Sequence, residues 1–398
     1  MKNVTERWRE TCIELPGHPF WLLGFRPFFA LAILAGVALP VLWALIYAGK
    51  IAAPLTSFAV VQWHAHEMFF GFGWAVLGGF LLTASRSWVK VRGYHGTALM
   101  LLVAAWLFER AGMWFEGVLN SVLFRVSNNL FLGAIVAMLV WTLVRNRDKD
   151  FYRDNYLFLL ILPMFLVAKN LLLSAEYFQV GVSMVVGLFR VAFLVMLERT
   201  VFQFMKGAFQ VEILEDLRLN KAIKLSALLL IFSGFMPPLP AGGIALLTAL
   251  LLAVRLMFWY PGLAMRRLDI GIMYLGYMAI VAQLLIEFVR LVVSPAWPVS
   301  WSVHVFTFGV MGLIIPAMLM RIIKGHTGRP VIFTLLDKIV LWVMMLAFVL
   351  RLVAPLYDPS VYTRWIVFSA ICWFVSFSLL AWRYIPYLLQ ARIDGKEY

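Results

Sequence analysis

The stretch WHAHEMFFGFGWAVLGGFLLTAS, from Trp63 to Ser85, is apolar for most of its length and carries its one carboxylate, Glu67, near its start. A helix needs roughly 20 mostly apolar residues to cross the hydrocarbon core of a bilayer, and this run is long enough. The stretch therefore predicts a membrane-spanning helix with two histidines and a carboxylate at its mouth.

Similar runs recur throughout the chain, which is 63% hydrophobic and only 14% charged, so composition excludes a water-soluble domain. The runs are long and unbroken, whereas a membrane β-barrel would show short alternating strands. We predict an all-α polytopic membrane protein, a bundle of about 12 transmembrane helices that forms one domain over residues 1–398. The predicted spans are 28–48, 64–85, 97–115, 121–144, 156–174, 179–203, 221–237, 241–260, 270–292, 299–322, 332–354 and 362–385.

The formal net charge of +14 has a topological explanation that does not require nucleic acid. Basic residues concentrate in the N-terminal segment, in the loops after the even-numbered spans and in the C-terminal tail, which is the positive-inside pattern. We therefore expect both termini to be cytoplasmic, with a cytoplasmic N-terminal segment at 1–27. A second cytoplasmic segment, 206–221, would connect two six-helix halves, either as a plain linker or along the membrane surface.

Two further signals narrow the class of protein. Cys12 and Cys372 lie far apart in the sequence, so they indicate neither a disulfide framework nor a cysteine-based metal site. The first apolar run lacks the small-residue exit of a cleaved signal peptide, which predicts a retained helix.

The six histidines divide equally between the two ends of the predicted spans. Those expected in the outer half are His64, His66 and His304, and those expected at or near the cytoplasmic face are His18, His95 and His326. Ionisable groups are expensive inside a membrane, so each outer histidine is a candidate functional residue.

Spans two and ten echo one another in sequence. HEMFFG (His66–Gly71) and HVFTFG (His304–Gly309) share the pattern H-x-x-x-F-G and are expected to run in the same direction. If the helices lie side by side, their glycines leave room for a planar macrocycle held by one histidine from each. The alternative is ordinary close packing of glycine-containing helices.

His64 and His66 are two residues apart, so a regular helix points them about 200° away from each other and favours one site each. Along span ten, His304, Met311 and Met318 recur every seven residues and share a face that would suit reduced copper. A methionine stripe is more commonly a packing surface, and we keep both interpretations open.

Four motifs give the chain a resemblance to the NnrS family of bacterial membrane proteins. They are GFRPFF (Gly24–Phe29), WHAHEMFFGF (Trp63–Phe72), GGFLLTA (Gly78–Ala84) and KGHTGRPV (Lys324–Val331). One departure follows the third motif, where the family continues toward N-W-T-G and this chain has SRSWVK (Ser85–Lys90).

The resemblance implies a multi-pass inner-membrane protein that contains haem b and copper and takes part in nitric oxide metabolism and protection against nitrosative stress. It carries the family's motif histidines onto His64, His66, His304 and His326, with Arg26 and Arg329 in the motifs beside them. It does not divide these residues between haem and copper.

From geometry we predict His66 and His304 as the axial haem ligands. His64, with Glu67 nearby, would then hold a second metal. His64 and Glu67 would be the catalytic residues. The competing placement puts copper at the cytoplasmic trio; its members are His18, His95 and His326. For His18 and His95, solvated loop positions are an equally good interpretation.

Four arginines in the outer half are candidates to bind haem propionates: Arg110, Arg125, Arg290 and Arg351. The alternative for two of them is an ion pair within the bundle, because Glu109 adjoins Arg110 and Glu287 lies three residues before Arg290. The carboxylates Glu67, Glu109 and Glu287 are candidates to pass protons.

Two classes of function remain open at this point. In one, the protein is an oxidoreductase resembling a nitric oxide reductase, which binds nitric oxide at a histidine-ligated haem and receives electrons from quinol. In the other, it is a non-enzymatic haem- or copper-binding protein, or a twelve-helix transporter of a small solute. Histidines at matched depth in two parallel helices favour the first class.

Overall fold

The computed structural model describes residues 17–152 and 155–395, so Cys12 and most of the predicted 1–27 segment lie outside the described residues. Within those ranges, eleven helices are long and apolar enough to cross a membrane, and no strand is present. The all-α polytopic fold is therefore confirmed. The helices are α1 (Phe25–Tyr47), α2 (Val60–Trp88), α3 (Thr97–Trp114), α4 (Ser121–Arg145), α5 (Tyr156–Leu173), α6 (Phe178–Phe209), α8 (Pro238–Met257), α9 (Leu268–Val293), α10 (Val299–His326), α11 (Leu335–Tyr357) and α12 (Pro359–Leu389).

The seventh predicted span, 221–237, is built differently from the others. It contains a shorter α-helix, α7 (Leu217–Leu229), which continues directly as a 3₁₀ helix over Leu230–Phe235. A 3₁₀ helix rises about 2.0 Å per residue against 1.5 Å in an α-helix, so the combined segment is roughly 30 Å long. This length matches the thickness of a bilayer core.

Contacts along α6 show that this irregular segment runs the length of the bundle. Near its start, Lys224 donates a hydrogen bond to Glu198 over 2.9 Å. Near its end, a Cβ placed on Gly234 would lie 3.0 Å from the Cα of Val180, beside the first turn of α6. The segment therefore runs antiparallel to α6, at the place where the sequence predicts the seventh of twelve spans, although it is not among the eleven helices long and apolar enough to cross a membrane. The connection before it is shorter than the predicted 206–221, because α6 continues to Phe209.

The first and last helices are neighbours. Helix α1 packs against both α2 and α12, and the buried side chain of Arg26 donates hydrogen bonds to the carbonyl oxygens of Leu388 and Gln390 over 2.7 and 2.6 Å. The described ends of the chain thus lie at the same end of the bundle. The cytoplasmic location of that end stays a prediction.

Helices α2 and α10 share an irregularity that positions the site. Each contains a π-helical segment directly after its motif histidine, at Glu67–Gly73 in α2 and at Val305–Met311 in α10. A π segment widens the helix locally and is frequent at functional sites. The two helices run in the same direction, as predicted, because their first turns line one cavity. Beyond it, a Cβ on Gly73 would lie 3.0 Å from the Cε of Met311.

Candidate functional site

A cavity of about 190 Å³ lies where α2 and α10 begin, enclosed by these helices together with α1, α6, α11 and α12. Its wall is mainly apolar, with a few polar side chains, as expected of a ligand site. The histidines and the charged residue of the lining are His64, His304 and Arg351, and the aromatic residues are Trp43, Phe69, Phe178, Phe308 and Trp373.

The imidazole of His304 is held in one orientation. Its Nδ1 lies 2.6 Å from the carbonyl oxygen of Ser300, one turn earlier in α10. A carbonyl oxygen only accepts, so Nδ1 carries the proton and Nε2 keeps its lone pair. Arg351 donates a hydrogen bond to this Nε2 over 3.3 Å. A backbone carbonyl that fixes the tautomer in this way is the usual support of a metal-binding histidine.

The imidazole of His64 faces the same cavity from α2. It stacks on the indole of Trp43, with 4.0 Å between ring centroids and 14° between planes. Among residues 17–152 and 155–395, no hydrogen bond to its ring nitrogens is present. The positive charge of Arg351 acts on the rings of both His64 and His304. The cavity therefore presents two imidazoles: His64, whose ring nitrogens make no hydrogen bond within the described residues, and His304, whose Nε2 is hydrogen-bonded to the side chain of Arg351.

His66 occupies a different environment, fully buried between α2, α3 and α4. Its Nδ1 lies 3.3 Å from Glu67 Oε1, and its Nε2 lies 3.0 Å from Asn128 Oδ1 and 3.3 Å from Glu109 Oε1. Both ring nitrogens are therefore engaged by oxygen atoms of the protein.

His66 and its partners belong to a buried cluster of charged and polar side chains. This charged cluster consists of His66, Glu67, Glu109, Arg110, Asn128 and Lys169. Lys169 donates hydrogen bonds to the carboxylate of Glu109 and to the carbonyl oxygen of Asn128. Arg110 bridges the two carboxylates, with Nη2 2.9 Å from Glu109 and Nε 3.3 Å from Glu67. Two cations thus balance two carboxylates, which is how buried charges are normally tolerated.

The geometry differs from the predicted pairing of His66 with His304. The residue that shares a cavity with His304 is His64, because His66 points into the charged cluster from the opposite side of α2. Glu67 also belongs to that cluster and does not line the cavity, so the predicted pair of His64 and Glu67 is not brought together. The expectation that His64 and His66 point to separate sites is met.

The four candidate arginines also separate. Arg351 lines the cavity, whereas Arg110 belongs to the charged cluster and Arg125 is exposed. Arg290 forms an ion pair with Glu287 over 2.7 Å. Both ion pairs that the sequence offered as alternatives, Glu109 with Arg110 and Glu287 with Arg290, are therefore present.

The remaining three histidines lie at the far end of the bundle, roughly 30 Å along α10 from His304. His326 packs its ring 5.2 Å from that of Phe25, His18 accepts a hydrogen bond from the backbone of Phe20, and His95 contacts the carbonyl of Gly93. No group of three or more His, Cys, Asp or Glu side chains suited to a metal occurs in the described part of the chain. The trio is accordingly not assembled as one such group.

Sequence reasoning passed over three buried cations, Lys169 in α5, Arg190 in α6 and Arg255 in α8. Each is a charged residue in the interior of a predicted span, and this position alone was a usable signal. Asn128 and Trp43, which orient His66 and His64, carry no comparable signal because both residue types are ordinary in membrane helices.

Comparison with known proteins identifies a family over nearly the whole chain. No curated protein matches it. A family model described as NnrS protein matches residues 19–392, a range that includes all four sequence motifs and the cavity. The chain therefore belongs to the NnrS family.

Proposed function

We propose that this protein binds haem b in the cavity between α2 and α10, that His64 and His304 would hold it, and that nitric oxide is bound and reduced there. Membership of the NnrS family supports, in general terms, a membrane protein of nitric oxide-related metabolism. The observation that carries the proposal is the orientation of His304, whose Nδ1 is fixed by Ser300 while Nε2 stays able to accept a bond. The bacterial inner membrane is the proposed location.

The donor set fits a haem. Histidine side chains can hold a haem iron, and the cavity offers two imidazoles, one of which would leave the iron for nitric oxide to bind there. Arg351 would exchange its hydrogen bond to His304 for a haem propionate, because a carboxylate taken out of water needs a charged partner. The aromatic side chains of the lining would exclude water from the macrocycle.

The cavity is smaller than a haem needs, so its lining must rearrange when haem binds. Pockets for ligands of this size measure roughly 300–1,000 Å³, and the cavity measures about 190 Å³. The indole of Trp43 covers the face of His64. Trp43 must therefore leave that position when haem binds.

A bound haem would supply a redox-active iron that takes up nitric oxide. Reduction of two nitric oxide molecules to nitrous oxide and water consumes two electrons and two protons, and we propose quinol as the electron donor. Proton delivery falls to the protein, and the charged cluster includes Glu67, which precedes the lining residue Met68 in α2. Glu67 and His66 are the groups proposed to hold and release these protons.

Copper stays a prediction from the family resemblance. The described residues contain no group of three potential ligands for it, and two imidazoles at the cavity are fewer than a copper site usually has. Elemental analysis of the purified protein tests this prediction directly.

The haem-to-protein ratio and the ferrous spectrum of purified variants test the proposed ligands. We expect His64→Ala and His304→Ala to lose haem or to bind it with one axial bond missing, because the apolar wall offers no substitute ligand. His326→Ala, at the far end of α10, is the control and should keep the wild-type spectrum.

His66→Asn distinguishes this assignment from the pairing that the sequence predicts. We expect it to retain haem, since His66 does not reach the cavity. Loss of haem from His66→Asn together with full retention by His64→Ala would restore the predicted pair. Anaerobic consumption of nitric oxide by the reduced protein then tests the activity. Consumption no faster than in a haem-free control would favour the non-enzymatic binding or transport function.

A further inference from the structure

Arg190 is a buried cation that the proposed haem site does not use. It lies in the interior of α6 with 4% of its surface exposed. In the part of the chain that the structure describes, its guanidinium makes no hydrogen bond and has no carboxylate oxygen within 4.0 Å, and its buried Nε has no partner. An unpaired charge inside a membrane protein is strongly unfavourable unless something compensates it.

The guanidinium faces a second cavity, next to the first and separated from it by Val182, Val299 and Val303, which line both. This second cavity is small, about 20 Å³. Its polar lining consists of Ser183, Arg190, Ser233, Gln283, Glu287 and Ser302.

The carboxylate in this lining is already neutralised. Glu287 accepts hydrogen bonds from Arg290, over 2.7 and 3.2 Å, and from the hydroxyl of Ser302. Its charge acts on Arg190 from beyond ion-pair distance. Two arginines therefore share one carboxylate, and the group carries one positive charge in excess.

We propose that Arg190 and the hydroxyls of Ser183 and Ser233 bind one small monovalent anion, of the size of chloride, in this cavity. Ser183 precedes Arg190 by seven residues and so lies on the same face of α6. Ser233 approaches from the 3₁₀ helix that follows α7. A guanidinium and hydroxyl groups are hydrogen-bond donors, and the bound anion cancels the excess charge.

The size of the cavity selects the class of anion. A cavity of roughly 10–15 Å³ holds one water molecule, and the space beside Arg190 is only slightly larger. A single halide ion fits there, whereas phosphate, sulfate and gluconate do not. The anion site does not involve haem, so its test is independent of the test of the proposed function.

Equilibrium binding of radioactive chloride to the purified protein tests the site, with gluconate holding the ionic strength constant. Wild-type protein should bind about one chloride per chain, and chloride should raise its melting temperature by mass action. Arg190→Met should bind chloride at least about tenfold more weakly. Arg255→Met is the matched control, since Arg255 is equally buried but hydrogen-bonds Tyr277 and Glu198; it should bind chloride as the wild type does.

Two milder variants keep the test decisive if Arg190→Met does not fold. Ser183→Val should weaken chloride binding by about tenfold, because it removes one donor to a charged ligand. Glu287→Gln should tighten binding, because it removes the nearby negative charge. Absence of chloride binding by wild-type protein, or binding that none of these variants changes, would overturn the proposal.

Discussion

His66 and His304 begin the same sequence pattern and are followed by the same π-helical distortion, yet their surroundings differ. Both nitrogens of His66 face oxygen atoms of Glu67, Glu109 and Asn128. His304 has Nδ1 fixed by a backbone carbonyl, and its Nε2 accepts a hydrogen bond from Arg351 beside a cavity. The partners of His66 belong to a buried charged cluster, whereas Nε2 of His304 faces a cavity and would become available to a metal once Arg351 exchanged its hydrogen bond for another partner.

The repeated motif of this protein thus corresponds to the same backbone geometry in both helices but to different chemical surroundings of its histidine. In α2 the cavity-facing role falls to His64, two residues before the repeated pattern begins. The motif histidine of that helix instead organises a charged cluster. The two regions should therefore respond to mutation in different ways, one through stability and the other through ligand binding.

The largest effect is expected in the charged cluster. Lys169→Met leaves Glu109 with one buried cation in place of two, and breaking a buried ion pair costs about 3–5 kcal/mol. The free energy of unfolding in mixed micelles measures the change. Lys206→Met, which removes an exposed partner of Glu212, is the control and should leave stability unchanged. Equal effects of the two substitutions would mean that the cluster is no more important than a surface pair.

A smaller effect is expected at the glycines of the repeated motif. In Gly309→Ala the new Cβ would lie 2.7 Å from Ala279 Cβ and 2.9 Å from the ring of Phe348. Overpacking of this kind costs about 1–3 kcal/mol. In Gly71→Ala the new Cβ would meet the guanidinium of Arg110, so stability falls through displacement of the cluster.

Thermal unfolding of the two variants, with and without haem, separates these mechanisms. Gly133→Ala is the control, because a Cβ there meets nothing within 4 Å and alanine favours the helix by about 0.5–1 kcal/mol. If Gly309→Ala were as stable as Gly133→Ala, the close approach of α9 and α11 to α10 would be in doubt.

The smallest effect is expected at Trp43. Trp43→Leu keeps an apolar side chain but removes the ring that stacks on His64, a loss of about 0.5–1.5 kcal/mol in the haem-free protein. Because the indole covers a proposed ligand, the variant should also take up haem at least as fast as the wild type. Stopped-flow haem uptake measures this, and slower uptake would contradict the movement that we assign to Trp43.

Most of the fold was predictable from the sequence, because the energetic rules of the bilayer leave only helices and barrels as solutions. Eleven predicted spans appear as long helices, and the seventh is a shorter α-helix continued by a 3₁₀ helix. Hydropathy reports how apolar a segment is, and it carries no information on hydrogen-bond geometry along the backbone. For that reason the change of helix type at Leu230 could not be predicted.

The site was predictable only in part. The motifs identified the family, which the match over residues 19–392 confirms, and His64 and His304 were both among the candidates. The pairing with His66 followed from a sequence alignment of two helices. Rotation of a helix about its own axis depends on packing with its neighbours, so the amino-acid sequence alone does not reveal that His66 faces Asn128 and Glu109.

The paired π segments set an angular offset within α2 and α10. Each π segment rotates the first turn of its helix about the helix axis relative to the remainder of the helix. Deleting one residue from Glu67–Gly73 would restore regular winding and turn the preceding residues by about 100°. His64 would then leave the cavity while the lower half of α2 kept its contacts. In both helices, the π segment thus allows the first turns to face a direction that differs from the one regular winding of the remainder would give.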